Sequence, residues 1–280
     1  MKNPRERIVI ISIFLVLLFI FYATVVFSAD GISLSAKSAA LYDPSSKSFL
    51  YTKNADLRLP MASTTKIMTA LVAIENASLE KSVSISDEAV GTEGSSLYLK
   101  QGEIMTMGDL LMGLMLRSAN DAALAIAYEI SGSVEAFAEK MNEKAALIGA
   151  DSTHFTNPHG LDDKEHYTTA KDLAIITAEA LNNSTFLKIV STEKCIIKNA
   201  DGEARLLTNH NKLLKLYNGA IGVKTGFTKK SGRCLVGAAE RDGARLISVT
   251  INAPDDWNDH KTLFDYGFYK LKSVPITEQI

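Results

Sequence analysis

Between residues 36 and 51, small and apolar residues alternate around Asp43-Pro44-Ser45-Ser46. That pattern predicts a β-hairpin, residues 39–42 against 49–51. At Ser63 the period changes. Ile67, Met68, Leu71 and Ile74 recur at helical spacing, so a helix is expected from residue 63 to about residue 75. Residues 83–85 suit a short strand. Helix formers dominate residues 103–148, broken at Ser118-Ala119-Asn120 and at Ser131-Gly132-Ser133, with Gly149 placed to stop the last segment. Residues 151–168 hold Asn157-Pro158 and Gly160 and read as an ordered loop. Thr169 and Asp172 have capping-box spacing ahead of a helix that runs to about residue 181. Residues 235–239 and 245–251 flank Glu240-Arg241-Asp242-Gly243, a second hairpin pattern. Residues 258–271 return to helical spacing, with Leu263, Tyr266 and Leu271 as apolar positions.

Strands, a long helical middle, strands again and a final helix make an α+β chain. The simplest architecture pairs the first hairpin with the last strands in one antiparallel sheet, flanked by terminal helices, with the helical middle inserted as a second lobe. Residues 30–60 and about 205–272 would form the sheet lobe of a single domain spanning 30–280, and about 61–204 the mainly helical lobe. A cleft is then expected between the lobes, where ligand sites commonly lie.

The first 29 residues read differently. Lys2, Arg5 and Arg7 precede an apolar run over residues 8–27, broken only by Ser12, Tyr22 and Thr24. That length suits one helix across a bilayer, and the basic N-terminal flank directs everything after it out of the cytoplasm. A signal peptide cut after Ser28 or Ala29 and an uncleaved anchor both fit; the run exceeds the usual signal-peptide core, which favours the anchor. Beyond Leu271 there is no second apolar span and no amphipathic helix, so attachment to a membrane is expected from the N-terminus alone.

Composition narrows the function. Of 280 residues, 46% are hydrophobic and 22% charged, which excludes disordered, collagen-like and coiled-coil chains. Thirty Lys+Arg against 32 Asp+Glu leave a net charge of −2 with no basic block, so no nucleic-acid partner is expected. Two cysteines exclude a disulfide-stapled scaffold and a Cys-rich metal site, and leave the pairing of Cys195 with Cys234 open.

Three short motifs carry candidate chemistry. In Ser63-Thr64-Thr65-Lys66, positions i and i+3 share a helix face, so a neutral Lys66 amine can take the Ser63 proton and create a nucleophile. Ser-x-x-Lys spacing recurs at Ser78–Lys81 and Ser191–Lys194, but only Ser63 opens a helix with an apolar face. Ser118-Ala119-Asn120 sits at a break between helices, where a hydroxyl and an amide can face a cleft or, more ordinarily, cap a helix. Lys224-Thr225-Gly226 follows the apolar Ala220-Ile221-Gly222-Val223 and reads as a strand edge. There Lys224 and Thr225 can bind a carboxylate and Gly226 can admit a substrate backbone.

Taken in order and context, the three motifs resemble those of penicillin-binding proteins and class A β-lactamases. Residues 30–272 resemble the serine-type D-Ala-D-Ala carboxypeptidases, the low-molecular-mass penicillin-binding proteins of the peptidase S11 family. Glu93-Gly94-Ser95-Ser96-Leu97, Arg117-Ser118-Ala119-Asn120-Asp121 and His154-Phe155-Thr156-Asn157-Pro158-His159-Gly160-Leu161 are also similar to that family. The resemblance implies a β-lactamase/transpeptidase-like fold. It implies that Ser63 attacks the penultimate D-Ala carbonyl of a peptidoglycan stem peptide, with Lys66 as base and Lys224 depressing its pKa. Ser118 would pass the proton to the departing amine, and Asn120 would hold substrate and Lys66. Lys224 and Thr225 would bind the terminal carboxylate, and the backbone N–H groups of Ser63 and Phe227 would form the oxyanion hole. β-Lactams would acylate Ser63, and no cofactor or metal is expected.

Two departures stand out. Some relatives carry an arginine after the strand that follows Lys-Thr-Gly, and Asn252-Ala253-Pro254-Asp255-Asp256-Trp257-Asn258 has none, so carboxylate binding would rest on Lys224 and Thr225. The chain also stops soon after Leu271, without the β-rich domain and amphipathic anchor of many relatives. Rival readings are weaker. The deacylating Glu of a class A β-lactamase has only Glu179-Ala180-Leu181-Asn182 as a counterpart, one residue too short and inside a predicted helix. A zinc site from His154, His159 and His166 with neighbouring carboxylates lacks a His-Glu-x-x-His helix. A tethered cell-wall binder without catalysis would not need this residue set.

Overall fold

The computed structural model describes residues 31–273. The apolar run at 8–27 lies outside the described residues, and among those described no helix is long and apolar enough to cross a membrane. Residues 34–273 form one compact unit.

The predicted first hairpin is present as β1 (Ser38–Asp43) and β2 (Ser48–Lys53), with Leu41 opposite Tyr51 and Tyr42 opposite Phe49. A 3-10 turn (Ala62–Thr65) leads into α1 (Lys66–Asn76). The short strand β3 (Ser82–Ser84) pairs with β4 (Ile104–Thr106). Residues 104–106, expected to be helical, are therefore extended. Thr106 accepts a hydrogen bond from Asp109 N–H at 3.1 Å, and this N-cap starts α2 (Met107–Leu116) one turn later than the composition suggests.

The expected breaks separate α2 from α3 (Asn120–Ser131) and α3 from α4 (Val134–Leu147). Capped by Thr169, α5 (Ala170–Leu181) follows, and then α6 (Ser184–Ser191). The hairpin of β5 (Lys194–Lys198) and β6 (Ala204–Thr208) was not predicted. Ile197 and Leu207 face the core while Ile196 and Leu206 are exposed, so apolar residues on both faces erase the alternation that marks a strand.

After a single turn, α7 (Leu213–Leu216), come β7 (Ala220–Thr228), β8 (Gly232–Arg241), β9 (Ala244–Ile251) and α8 (Asp256–Ser273). The main sheet has the order β2-β1-β9-β8-β7, with every recorded pairing antiparallel. It resumes at Ala220 rather than near residue 205, because the β5–β6 hairpin forms a separate two-stranded sheet.

Period-2 alternation divides the sheet's apolar residues between two faces. Ala40, Tyr42, Val236, Ala238, Ile247 and Val249 join the core of the helical lobe, where α5 lies along β1 and β9. Leu41 and Leu246 turn the other way, toward α8, whose Gly267 admits both. Of the expected terminal helices, α8 covers one face; residues 31–37 are not helical, and α5 of the inserted lobe closes the other face. His260 of α8 is fully buried beneath the sheet, with Ser248 Oγ 2.6 Å from Nδ1 and Thr250 Oγ1 3.0 Å from Nε2.

Candidate active site

Ser63 lies in the 3-10 turn and Lys66 at the first position of α1. A 3-10 turn has about three residues per turn, which brings i and i+3 directly over one another. Lys66 Nζ is accordingly 3.1 Å from Ser63 Oγ.

The turn is braced from behind. Ala62 holds a left-handed φ of +48°, and its carbonyl accepts a hydrogen bond from Thr65 Oγ1 at 2.8 Å. Thr156 N–H donates to His166 Nδ1 at 3.0 Å, so the neutral ring carries its proton on Nε2 and donates to Thr65 Oγ1 at 2.7 Å. Burial holds the His166 pKa down at about 4, which keeps the ring neutral. Gly160 lies so close that a Cβ there would come 2.0 Å from Ala62 O.

Lys66 is fully buried. Nζ lies 2.7 Å from Asn120 Oδ1 and 2.5 Å from the His159 carbonyl. Asn120 Nδ2 donates to Glu93 O at 2.6 Å, which fixes the amide with its oxygen toward the lysine. Both partners can only accept. A neutral amine has two protons, so it satisfies them both and leaves its lone pair to receive the Ser63 hydroxyl proton. The pKa of Lys66 is indeed well below the ordinary lysine value, first through burial and then through the Lys224 charge, with Asp121 opposing.

Ser118 and Asn120 flank the break as predicted, but neither caps a helix. Ser118 takes the left-handed conformation (φ +61°) that closes α2, and Ala119 occupies the N-cap position of α3. Asn120 N–H donates instead to Ser95 O at 2.7 Å.

Asp121, to which no role was assigned from sequence, holds that loop in place. Its buried carboxylate accepts from Ser96 Oγ at 2.6 Å, Leu97 N–H at 3.0 Å and Leu99 N–H at 3.1 Å. The sequence signal was present: an Asp in the first turn of a helix, next to a motif residue.

Lys224, Thr225, Gly226 and Phe227 lie on β7, the sheet edge facing the 3-10 turn. A Cβ on Gly226 would sit 3.0 Å from Ser63 N and 3.1 Å from Ala62 Cβ. The glycine therefore lets the strand abut the nucleophile's own backbone, a closer reason than the room for substrate inferred from sequence. Lys224 is buried, donates to Thr225 O at 2.9 Å and has its pKa lowered to about 7 by burial.

A cleft of about 420 Å³ opens over these elements, and its lining includes Ser63, Ser118, Thr225, Gly226 and Phe227. Lys66, Asn120 and Lys224 are buried. The lining also includes His210, Lys212, Arg233, Asp256 and Trp257, none of them singled out from sequence. The three loop histidines do not converge on a metal. His154 Nδ1 is 2.6 Å from Glu165 O, His159 Nδ1 accepts from Leu161 N–H, and His166 serves the turn. Among the described residues no group of three or more ligating side chains suits a metal ion. The other Ser-x-x-Lys matches lie elsewhere: Lys81 pairs with Glu129, and Ser191 Oγ donates to Lys188 O.

A serine whose nearest base is a desolvated amine, set between an antiparallel sheet and a helical lobe, defines the class. This is a serine acyl-transfer hydrolase of the penicillin-binding fold. Residues 24–255 match the peptidase S11 family, described as D-alanyl-D-alanine carboxypeptidase. D-Alanyl-D-alanine carboxypeptidase DacF of Bacillus subtilis is 37% identical over 86% of this chain and 64% of its own length. DacB2 of Mycobacterium tuberculosis is 38% identical over 75% of this chain and 74% of its own. The crystal structure of the Streptomyces K15 DD-transpeptidase superposes with a TM-score of 0.80 at 35% identity, covering 85% of this chain and 98% of that one. The chain belongs to the peptidase S11 family of D-alanyl-D-alanine carboxypeptidases.

Proposed function

We propose that the chain removes the terminal D-alanine from peptidoglycan stem peptides through an acyl-enzyme on Ser63, and that β-lactams acylate the same residue. The observation that carries this reading is the Lys66 amine, buried and hydrogen-bonded to two obligate acceptors, with its remaining valence directed at Ser63 Oγ. Ser63 Oγ attacks the penultimate carbonyl carbon as its proton moves to Lys66 Nζ. The tetrahedral oxyanion lies at the backbone N–H groups of Ser63 and Phe227, in the type of site that supplies several kcal/mol to acyl transfer. The C–N bond then breaks, and the proton passes by way of Ser118 to the leaving amine. Water, deprotonated by Lys66, attacks the ester and restores Ser63.

Slow hydrolysis of a penicilloyl ester fits the same geometry. The nearest sequence match to a class A deacylating glutamate, Glu179, lies within α5 and pairs with Lys144 at 3.1 Å. The reaction places residues 30–280 outside the cytoplasm in the cell envelope, with the apolar N-terminal run as signal or anchor.

Intact-mass measurements after mixing with penicillin test the reading. The expected result is a lasting adduct that maps to the Ser63 peptide and is absent from Ser63→Ala, together with D-alanine release from an acyl-D-Ala-D-Ala peptide. Unmodified protein and intact drug would refute it.

A further inference from the structure

The β5–β6 hairpin is fastened on one face and bare on the other. Its inner face carries Ile197 and Leu207 into the core beside α2. The buried Glu103 holds it there: Arg205 donates to both carboxylate oxygens, at 2.6 and 3.0 Å, and Asn199 Nδ2 donates to Oε1 at 3.0 Å.

Alternation along β5 puts Lys194, Ile196 and Lys198 on the outer face, and the register sets Thr208, Leu206 and Ala204 opposite them. Ile196 and Leu206 are direct cross-strand partners, 63% and 67% exposed. Lys194 and Lys198 flank the pair and are exposed, and neither has an ionic or hydrogen-bonding partner among the described residues. A solvated sheet face ordinarily carries polar residues, so a directly paired aliphatic couple on it points to a surface that covers it.

Three observations select the occupant. The face is small: two strands of five residues, at about 3.3 Å per residue and about 4.8 Å per strand, offer about 170 Å², against about 800 Å² per partner in a stable protein interface. A second copy seated on it would also press the unpaired lysines of both copies into one apolar contact. The surrounding charge is cationic: residues 188–216 hold six Lys and Arg against three Asp and Glu, in a chain of net charge −2. Finally, the apolar run at 8–27, read as signal or anchor, delivers the chain to a membrane. An anionic bilayer surface fits all three. It needs no large matched face, the lysine ammonium groups meet lipid phosphates while their stems lie along apolar surface, and the aliphatic pair enters between them.

We propose that the outer face of the β5–β6 hairpin, Ile196 and Leu206 between Lys194 and Lys198, rests on the anionic lipid surface of the membrane to which the N-terminal run delivers the chain. A contact of this size orients a protein that is already tethered; it does not anchor one alone. His210 and Lys212 follow β6 and line the cleft, so the contact sets where the cleft opens relative to the bilayer. The inference goes beyond the proposed hydrolysis and does not depend on it.

The test reconstitutes the full chain in vesicles of phosphatidylcholine, alone or mixed with phosphatidylglycerol, and briefly acetylates exposed lysines with a membrane-impermeant ester. Mass spectrometry reads modification of Lys194 and Lys198 against the exposed Lys229 and Lys230 of the β7–β8 turn in the same molecules. The expected result is a fall of about fivefold at Lys194 and Lys198 in the anionic vesicles, reversed in Ile196→Ser/Leu206→Ser. Equal modification in both vesicles would overturn the proposal. So would an equal fall at Lys229 and Lys230, which marks general attraction to negative charge, or a fall that survives the double substitution, which marks lysine attraction alone. A fall that tracks the protein-to-lipid ratio instead of lipid charge would make a second copy the occupant and overturn it too. Both substituted residues are exposed, and a thermal melt checks the fold; should the double variant not fold, Leu206→Ser alone decides. The readout uses none of the Ser63 chemistry, so failure of the carboxypeptidase reading, seen as absent penicillin labelling, is separate from failure of this contact.

Discussion

Asp121→Asn tests whether the loop over residues 93–99 tunes the catalytic amine. Keeping the amide oxygen at Oδ1 preserves acceptance from Ala122 N–H at 2.9 Å and Leu97 N–H at 3.1 Å. The new NH2 replaces Oδ2 and confronts Leu99 N–H, which loses its only side-chain acceptor, in a position that is almost fully buried. One orphaned buried donor costs about 1–3 kcal/mol, and converting the remaining charged hydrogen bonds to neutral ones costs about 1 kcal/mol each. The sum is about 3–5 kcal/mol, within the stability of an ordinary domain, so the variant should fold with a Tm lower by on the order of 10 °C.

A second signature separates tuning from mere loosening. Asp121 raises the Lys66 pKa and Lys224 lowers it. The base works when neutral, so kcat/KM rises as pH passes through the amine's pKa. Asp121→Asn should move that ascending limb to lower pH, and Lys224→Gln should move it to higher pH. Asn120, whose backbone and side chain both bond to the 93–99 loop, also becomes less well placed, so plateau activity should drop by on the order of tenfold. The assay is D-alanine release across pH, paired with thermal melts. A limb that stays put, or moves upward, while Tm falls would refute the electrostatic half of the argument.

Two further outcomes follow. Gly226→Ala inserts a methyl 3.0–3.2 Å from Ser63 N, Ala62 Cβ and Thr64 N; it should cost about 1–3 kcal/mol of stability and slow penicillin acylation by on the order of 10²-fold, and acylation at the wild-type rate would mean that β7 does not position the turn. His159, His166 and His260 are buried, with pKa values lowered to about 3, 4 and 3. Between those values and about 6.5 the unfolded chain binds more protons than the folded one, so stability must fall as pH drops from about 6.5 toward 4; an unchanged Tm across that window would contradict the burial of these rings.

Much of the site was legible because its chemistry sits on local spacings. Ser63 and Lys66 are three residues apart, Ser118 and Asn120 straddle a visible helix break, and Lys224 to Phe227 follow an apolar strand. Local signals also marked the Thr169 cap, the Gly149 stop and two of the three hairpins of the main sheet. The β5–β6 hairpin was hidden because both of its faces carry apolar residues, and the strand at 104–106 because its last residue, Thr106, is the cap that decides where α2 begins.

What sequence determined by itself, then, was most of the elements and the positions of the three motifs, since each depends on neighbours within a few positions, while the reaction class followed from the resemblance of those motifs to a family. Tertiary structure alone decided which groups serve those residues. The His159 carbonyl reaches Lys66 from 93 positions away, and Asp121 clasps a loop more than 20 residues upstream. Burial of the lysines is likewise a property of the closed fold: an amine in water keeps its proton, and only the packed interface of turn, strand and helix removes the solvent that would stabilise the charge.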